Sequence, residues 1–132
     1  MSNRTQQVFV EGVMSSWSDV ISDVPQGTLL GPLLFLLFIN DLPSVVAPDT
    51  TCRLFADDCL LYREIHSQDD QLQLQRDLKS LEDWSILRGM KFNAKKCNIM
   101  SISRNETPRK RLYTTDDTVL CEISCSTYLG VL

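Results

Sequence analysis

The chain has 132 residues, 43% of them apolar and 23% charged, with a formal net charge of −4 and a sequence pI near 4.9. Those figures allow one modest globular domain and exclude a disordered tail. They also argue against a self-sufficient nucleic-acid binder, which presents a basic face, so most phosphate contacts would have to come from outside these residues.

Five cysteines (52, 59, 97, 121 and 125) and a single histidine, His66, narrow the chemistry further. The cysteine count is odd and no C-x-x-C pair occurs, which speaks against a disulfide framework, a disulfide-linked partner or a zinc site, and for a reduced intracellular compartment. One histidine leaves little scope for a His-based triad or metal centre. The polar start, Met1 to Thr5, is unlike a secretory signal, so the protein is expected not to be secreted.

From the N-terminus, Gln6 to Val13 carries a strand signal, Glu11-Gly12 offers a turn or bulge, and Trp17 to Val20 can pair back as a second strand. Val24-Pro25-Gln26-Gly27 breaks this pattern. A helix follows, with Pro32 in its first turn, where a missing N–H costs nothing. Leu33 to Ile39 is apolar on every side, which predicts burial on most faces. It is also far short of the roughly 18 to 20 residues that span a bilayer. Pro43 ends this helix near Asp41-Leu42, and Ser44 to Thr51 reads as loop.

Cys52 to Ile65 reads as a β-hairpin capped by Asp57-Asp58. The spacing of Leu74, Leu78, Leu81, Trp84 and Leu87 predicts an amphipathic helix over about Asp69 to Leu87. Ser67 with Asp70 suits its N-terminus as a capping box, and Gly89 suits its left-handed end. Asn98 to Ile102 reads as a strand, Arg104 to Arg111 as a basic loop, and Leu112 to Ser126 as a hairpin turning at Asp116-Asp117. Tyr128 to Leu132 begins another strand, in which the chain stops, suggesting truncation. Strands mixed with two well-spaced helices predict an α+β fold with helices on one face of an antiparallel sheet.

Two Asp-Asp pairs need separate readings. Asp116-Asp117 lies among Thr114, Thr115 and Thr118 and reads as a polar turn. Asp57-Asp58 lies between Leu54-Phe55-Ala56 and Cys59-Leu60-Leu61. Two adjacent carboxylates at the tip of apolar strands repel each other. A divalent cation would relieve that repulsion, and hard oxygen donors favour magnesium. A solvated turn explains the local pattern as well, so the wider sequence has to decide.

That wider sequence resembles one family. Pro25-Gln26-Gly27-Thr28-Leu29-Leu30-Gly31-Pro32-Leu33-Leu34-Phe35 is similar to the motif that precedes the catalytic hairpin of reverse transcriptases. Phe55-Ala56-Asp57-Asp58 resembles their aromatic-x-Asp-Asp turn, and Gly89 to Cys97 resembles the following Asn-x-x-Lys motif. Tyr128-Leu129-Gly130-Val131 resembles the entry to the primer grip, and Asn3 to Val8 resembles the segment leading into this region. These motifs, in the family's order, cover nearly the whole chain, and the pattern is most like reverse transcriptases of non-LTR, LINE-like retrotransposons.

The resemblance implies an RNA-directed DNA polymerase domain over residues 1–132 that is partial: an incomplete palm, with an antiparallel sheet packed on two helices, and without fingers or thumb. Asp57 would be a catalytic metal-binding aspartate and Asp58 a neighbour with a lesser metal role, both toward Mg2+ or Mn2+. Gln26 and Gly27 would lie near the incoming nucleotide and template, and Phe55 beside the primer end. Lys96, or Lys95 if the register slips by one, would approach the nucleotide phosphates and protonate the pyrophosphate. Tyr128, Leu129 and Gly130 would belong to the primer grip. The implied partners of the complete protein are an RNA template, a DNA primer and dNTPs, with no membrane, and the implied locations are the cytoplasm and nucleus.

Two departures stand out. The family needs a further catalytic aspartate on an earlier strand, and only Asp19 and Asp23 lie in that region, both too close to Pro25 and in no matching motif. Asp23 also stands where the family has glycine before Val-Pro-Gln-Gly, a backbone position that aspartate fills less readily. The expectation is therefore a segment inactive by itself, with an unpaired sheet edge and a tendency to associate. The alternative is a non-catalytic remnant acting at most as a binding module. An unrelated metal-dependent phosphatase or nuclease would use Asp57-Asp58 but would leave the Gln26-Gly27 and Lys96 motifs unexplained.

Overall fold

A computed structural model describes residues 4–20, 30–103 and 112–126. It divides into two compact units, Met1–Phe38 and Ile39–Leu132.

In the first unit, β1 (Arg4–Gln6) pairs antiparallel with β4 (Ser18–Val20), with Thr5 opposite Asp19. Inside that pair lies a small hairpin of β2 (Phe9–Val10) and β3 (Val13–Met14). Its turn is Glu11-Gly12, with φ of +50° and +86°, the double positive φ that a two-residue hairpin turn of type I′ demands. The strand expected over Gln6 to Val13 is thus split in two.

Helix α1 runs over Leu30–Ile39. Pro32 sits in its first turn, as expected. The expected burial on most faces is not found: Leu33, Leu36 and Leu37 are more than half exposed, and Leu34 and Phe38 are exposed as well, while Gly31 and Ile39 are buried. A helix apolar all round needs partners on every side, and among the described residues only Gly31, Phe35 and Ile39 of this helix are buried or half-buried.

In the second unit, a 3-10 turn (Leu42–Val45) carries Pro43 at its second position. It leads through Val46 to Thr50 into β5 (Thr51–Phe55), which pairs antiparallel with β6 (Asp58–Tyr62). Helix α2 (Gln68–Leu87) follows. Its start is a complete capping box: Ser67 Oγ accepts from the Asp70 N–H at 3.2 Å, and the Asp70 carboxylate accepts from the Ser67 N–H at 2.9 Å. Its end is a Schellman motif, with the Met90 N–H bonded to Ser85 O and the Gly89 N–H to Ile86 O and Gly89 at φ +67°.

The apolar stripe of α2 is buried at Leu81 and Trp84 and half-buried at Leu74 and Leu78, but Leu87 is 83% exposed. With Leu42, Tyr113 and Leu120, Leu81 and Trp84 make the core of this unit. Trp84 also donates its indole N–H to Asp41 at 3.2 Å, and Arg88 both pairs with Asp41 and stacks 5.8 Å from the Trp84 ring centre. Gln75 grips the far hairpin with two 2.9 Å bonds to the backbone of Thr114.

Beyond α2, a 3-10 turn (Ala94–Lys96) precedes β7 (Asn98–Ile99). The last hairpin pairs β8 (Thr114–Thr115) with β9 (Thr118–Val119), and β10 (Cys121–Glu122) lies parallel to β7. The turn falls at Asp116-Asp117, as expected, with φ of +49° and +56°.

The α+β character holds, but the single antiparallel sheet backed by two helices does not appear among the described residues. Five separate two-stranded pieces take its place, one of them parallel. Strands of two to five residues leave little ladder from which a third strand could be recruited.

Candidate functional site: the aspartate hairpin

The strands of the central hairpin are joined by a two-residue turn, Ala56-Asp57, and Phe55 pairs with Asp58 across it. Ala56 carries the strain of the turn, at φ +49°, a region that a residue with a Cβ enters only at a cost. The turn is therefore held by what flanks it, and it pushes both carboxylates out at the tip. Asp57 and Asp58 are exposed, and among the described residues neither is in an ion pair.

Alternation along the strands sorts the rest. Arg53, Phe55, Asp58, Leu60 and Tyr62 share one face and are exposed, with Phe55 at 55%. Cys52, Leu54, Cys59 and Leu61 share the other face and are half-buried. On the open face, hydrogen bonding to Thr51 and then to Arg53 holds the Tyr62 phenol below its usual range.

The base of the hairpin is locked by charged groups that the sequence reading passed over. Asp77 of α2 is 2% exposed. Its carboxylate accepts from the Ala47 N–H at 3.0 Å, from the Thr50 hydroxyl at 2.5 Å and from the Gln73 amide at 3.0 Å. Arg63, one residue past β6, donates to Thr50 Oγ1 at 3.2 Å and pairs with Asp70 at 3.1 Å. Hydrogen bonds from Ser67 and Arg63 hold the Asp70 carboxyl well below the usual carboxylate range. The two ends of the hairpin are thus both tied to α2, directly through Asp77 and Asp70. A signal for this was present: Asp77 interrupts the apolar stripe between Leu74 and Leu81, and a polar side chain on a buried face requires hydrogen-bond partners.

Lys96 lies in the 3-10 turn after α2 and is exposed, as is Lys95. The same segment lines an open groove of about 410 Å³, formed by Lys91, Phe92, Asn93, Ala94 and Lys95 with Asp116 and Thr118. Lys91 pairs with Asp116 at 2.8 Å, and that bond raises its ammonium pKa. Gln26, Gly27, Tyr128, Leu129 and Gly130 lie outside the described residues; of the expected site the structure describes Asp57, Asp58 and Phe55, which share one hairpin, and Lys96, which lies on a separate 3-10 turn.

The donor set can be tested against a metal. Asp57 and Asp58 supply two adjacent, solvent-facing carboxylates, which suits a magnesium ion that takes its other ligands from phosphate and water. Among the described residues, no group of three or more acidic, Cys or His side chains could hold a metal ion. The pair therefore fits as part of a coordination shell and not as the whole of it. None of the described helices is long and apolar enough to cross a membrane.

The chain is 31% identical over 104 residues to the "RNA-directed DNA polymerase from mobile element jockey" of Drosophila melanogaster, covering 74% of this chain and 11% of that protein. The "Probable RNA-directed DNA polymerase from transposon X-element" of the same fly is 27% identical over 139 aligned positions, covering 100% of this chain and 15% of its own length. The jockey polymerase of Drosophila funebris is 28% identical over 101 residues, covering 71% and 11%. The chain thus spans between about a tenth and a seventh of the length of these relatives. No solved structure matches it. Residues 7–131 match the family described as "Reverse transcriptase (RNA-dependent DNA polymerase)", so the chain belongs to the reverse transcriptase family.

Proposed function

We propose that this chain supplies the aspartate hairpin of an RNA-directed DNA polymerase of a non-LTR retrotransposon, and that the 132 residues alone do not polymerise. The observation that carries the reading is the exposed Asp57-Asp58 pair at a hairpin tip otherwise built from apolar strands. A solvated turn would also explain the pair by itself; what favours a phosphoryl-transfer site is that the pair lies within residues 7–131, which match the reverse transcriptase family.

In this reading Asp57 and Asp58 hold part of the coordination shell of a divalent cation, Mg2+ or Mn2+. In a two-ion phosphoryl transfer, one such ion would lower the pKa of the primer 3′-hydroxyl and the other would steady the leaving pyrophosphate. Phe55 pairs with Asp58 on the open face of the hairpin and would pack beside the primer end. Lys96 would neutralise phosphate charge and hold a proton at Nζ for the departing pyrophosphate. Gln26 and Gly27 would meet nucleotide and template, with glycine leaving room for close backbone approach. Tyr128, Leu129 and Gly130 would steady the primer. The template is RNA and the primer DNA, so the site of action is intracellular, in the cytoplasm and the nucleus.

Inactivity of the isolated chain follows from its donor set. Asp19 belongs to β4, Asp23 lies outside the described residues, and neither stands in a motif that would make it the third metal ligand. Primer extension on an RNA template tests both parts. A chimaera in which this segment replaces the matching segment of the jockey polymerase is expected to extend the primer, and Asp57→Asn to abolish extension. Extension unaffected by Asp57→Asn would overturn the polymerase reading, and extension by the isolated chain would overturn its inactivity.

A further inference from the structure

Cys52 and Cys59 lie on the half-buried face of the hairpin, one on each strand. Their sulfurs are 3.6 Å apart and share a hydrogen bond, and all five cysteines are free thiols. Cys52 stands opposite Leu61 and Cys59 opposite Leu54, so the two thiols meet diagonally across the ladder. We propose that Cys52 and Cys59 form an oxidisable dithiol, a site of reversible thiol–disulfide exchange with a low-molecular-weight disulfide of the glutathione type.

The hydrogen bond shared with Cys59 lowers the pKa of Cys52 against the opposing effect of burial, so Cys52 is the attacking thiol and Cys59, diagonally across the ladder, the thiol that closes the bond.

The exchange balances in two steps. The Cys52 thiolate attacks one sulfur of glutathione disulfide, forming a mixed disulfide and expelling one glutathione thiolate. Cys59 gives up its proton, its sulfur attacks the Cys52 sulfur, and the second glutathione leaves. Two protein thiols become one disulfide, one glutathione disulfide becomes two glutathione thiols, and the two protons leave with them.

Closure has a consequence for the tip. The sulfurs must approach by roughly 1.6 Å to reach a bond length of about 2.0 Å, and diagonal neighbours on an antiparallel pair are spaced more widely than direct partners. The bond draws β5 and β6 together on one face, and the two-residue turn, with Ala56 already at φ +49°, has to absorb the change. Cys59 is covalently next to Asp58, so oxidation re-aims the carboxylate pair, whatever that pair binds.

The test equilibrates the full chain in glutathione redox buffers, quenches with an alkylating agent and maps the peptides by mass spectrometry. The expected result is an intramolecular Cys52–Cys59 link that dithiothreitol removes, with Cys121 and Cys125, both exposed, carrying separate modifications. The Cys121→Ser/Cys125→Ser variant should keep the link, and its amide signals from Phe55 to Asp58 should shift on oxidation and return on reduction. Cys52 should also alkylate faster than Cys97. Cys52 and Cys59 recovered as free thiols while Cys121 and Cys125 oxidise would overturn the proposal. A stable glutathione adduct at Cys52 without closure, or a Cys59–Cys97 link in its place, would overturn it too.

Discussion

Replacing Asp77 by alanine should be among the most costly single changes in the second unit. The carboxylate is 2% exposed and accepts three hydrogen bonds, two of them from the Ala47 to Thr50 segment that leads into β5. Alanine leaves the Ala47 N–H and the Thr50 hydroxyl without their acceptor. A stranded buried donor costs about 1–3 kcal/mol, the Gln73 amide can turn to water, and the Thr50 hydroxyl keeps Arg63 as a donor neighbour at 3.2 Å. The sum is a loss of about 3 kcal/mol, a large share of the roughly 5–15 kcal/mol that holds a domain together. For a unit of this size that lowers the melting temperature by roughly 15 °C. Urea unfolding followed by fluorescence of the buried Trp84, in a Trp17→Phe background, measures it. A midpoint shift worth less than about 1 kcal/mol would refute the claim that Asp77 anchors the hairpin base.

Other changes have smaller, separable effects. Ser67→Ala should cost about 1 kcal/mol by removing the cap on α2, seen as faster amide exchange in its first turn. Gly89→Ala should cost about 1 kcal/mol through the backbone alone, because φ is +67° and a Cβ there would meet nothing within 4 Å; a neutral effect on the urea midpoint would contradict the Schellman assignment. Asp70 should make stability pH-dependent. Its folded pKa lies below the unfolded value, so its contribution is fully present above the usual carboxylate range and is lost as pH falls through and below it. Asp70→Asn should flatten that acid limb in a series of unfolding curves, and an unchanged limb would contradict the Ser67–Asp70–Arg63 network.

How much was legible depended on whether a feature is local. The capping box at Ser67, the left-handed Gly89, the Glu11-Gly12 turn and the hairpin around Asp57-Asp58 are each decided by a few neighbouring residues, and the structure has them where the sequence put them. The motif order likewise identified the family. What failed is non-local. Leu33 to Ile39 reads as a buried helix because its composition is apolar, yet burial depends on partners, and the described residues leave most of it open, with Ile39 buried. The common sheet does not appear among the described residues for the same reason: the hairpins at Asp57-Asp58 and Asp116-Asp117 were readable, but the parallel pairing of β7 with β10, like whatever would join one pair to the next, is long-range contact. Asp77 was missed because helical periodicity was counted in apolar residues, so a buried carboxylate within the stripe passed as a gap in it.

The Asp116-Asp117 turn gives the central claim an internal control, since it repeats the dipeptide on a turn of different surroundings, where Asp116 is already paired with Lys91 at 2.8 Å. The most direct measurement is a Mn2+ titration of the chain, read as paramagnetic broadening of backbone amide signals. The account predicts broadening centred on Ala56 to Cys59, greater than at Asp116-Asp117 and lost in the Asp57→Asn/Asp58→Asn variant. Equal broadening at both turns, or none at Asp57-Asp58, would contradict the assignment of this hairpin as the metal-binding element.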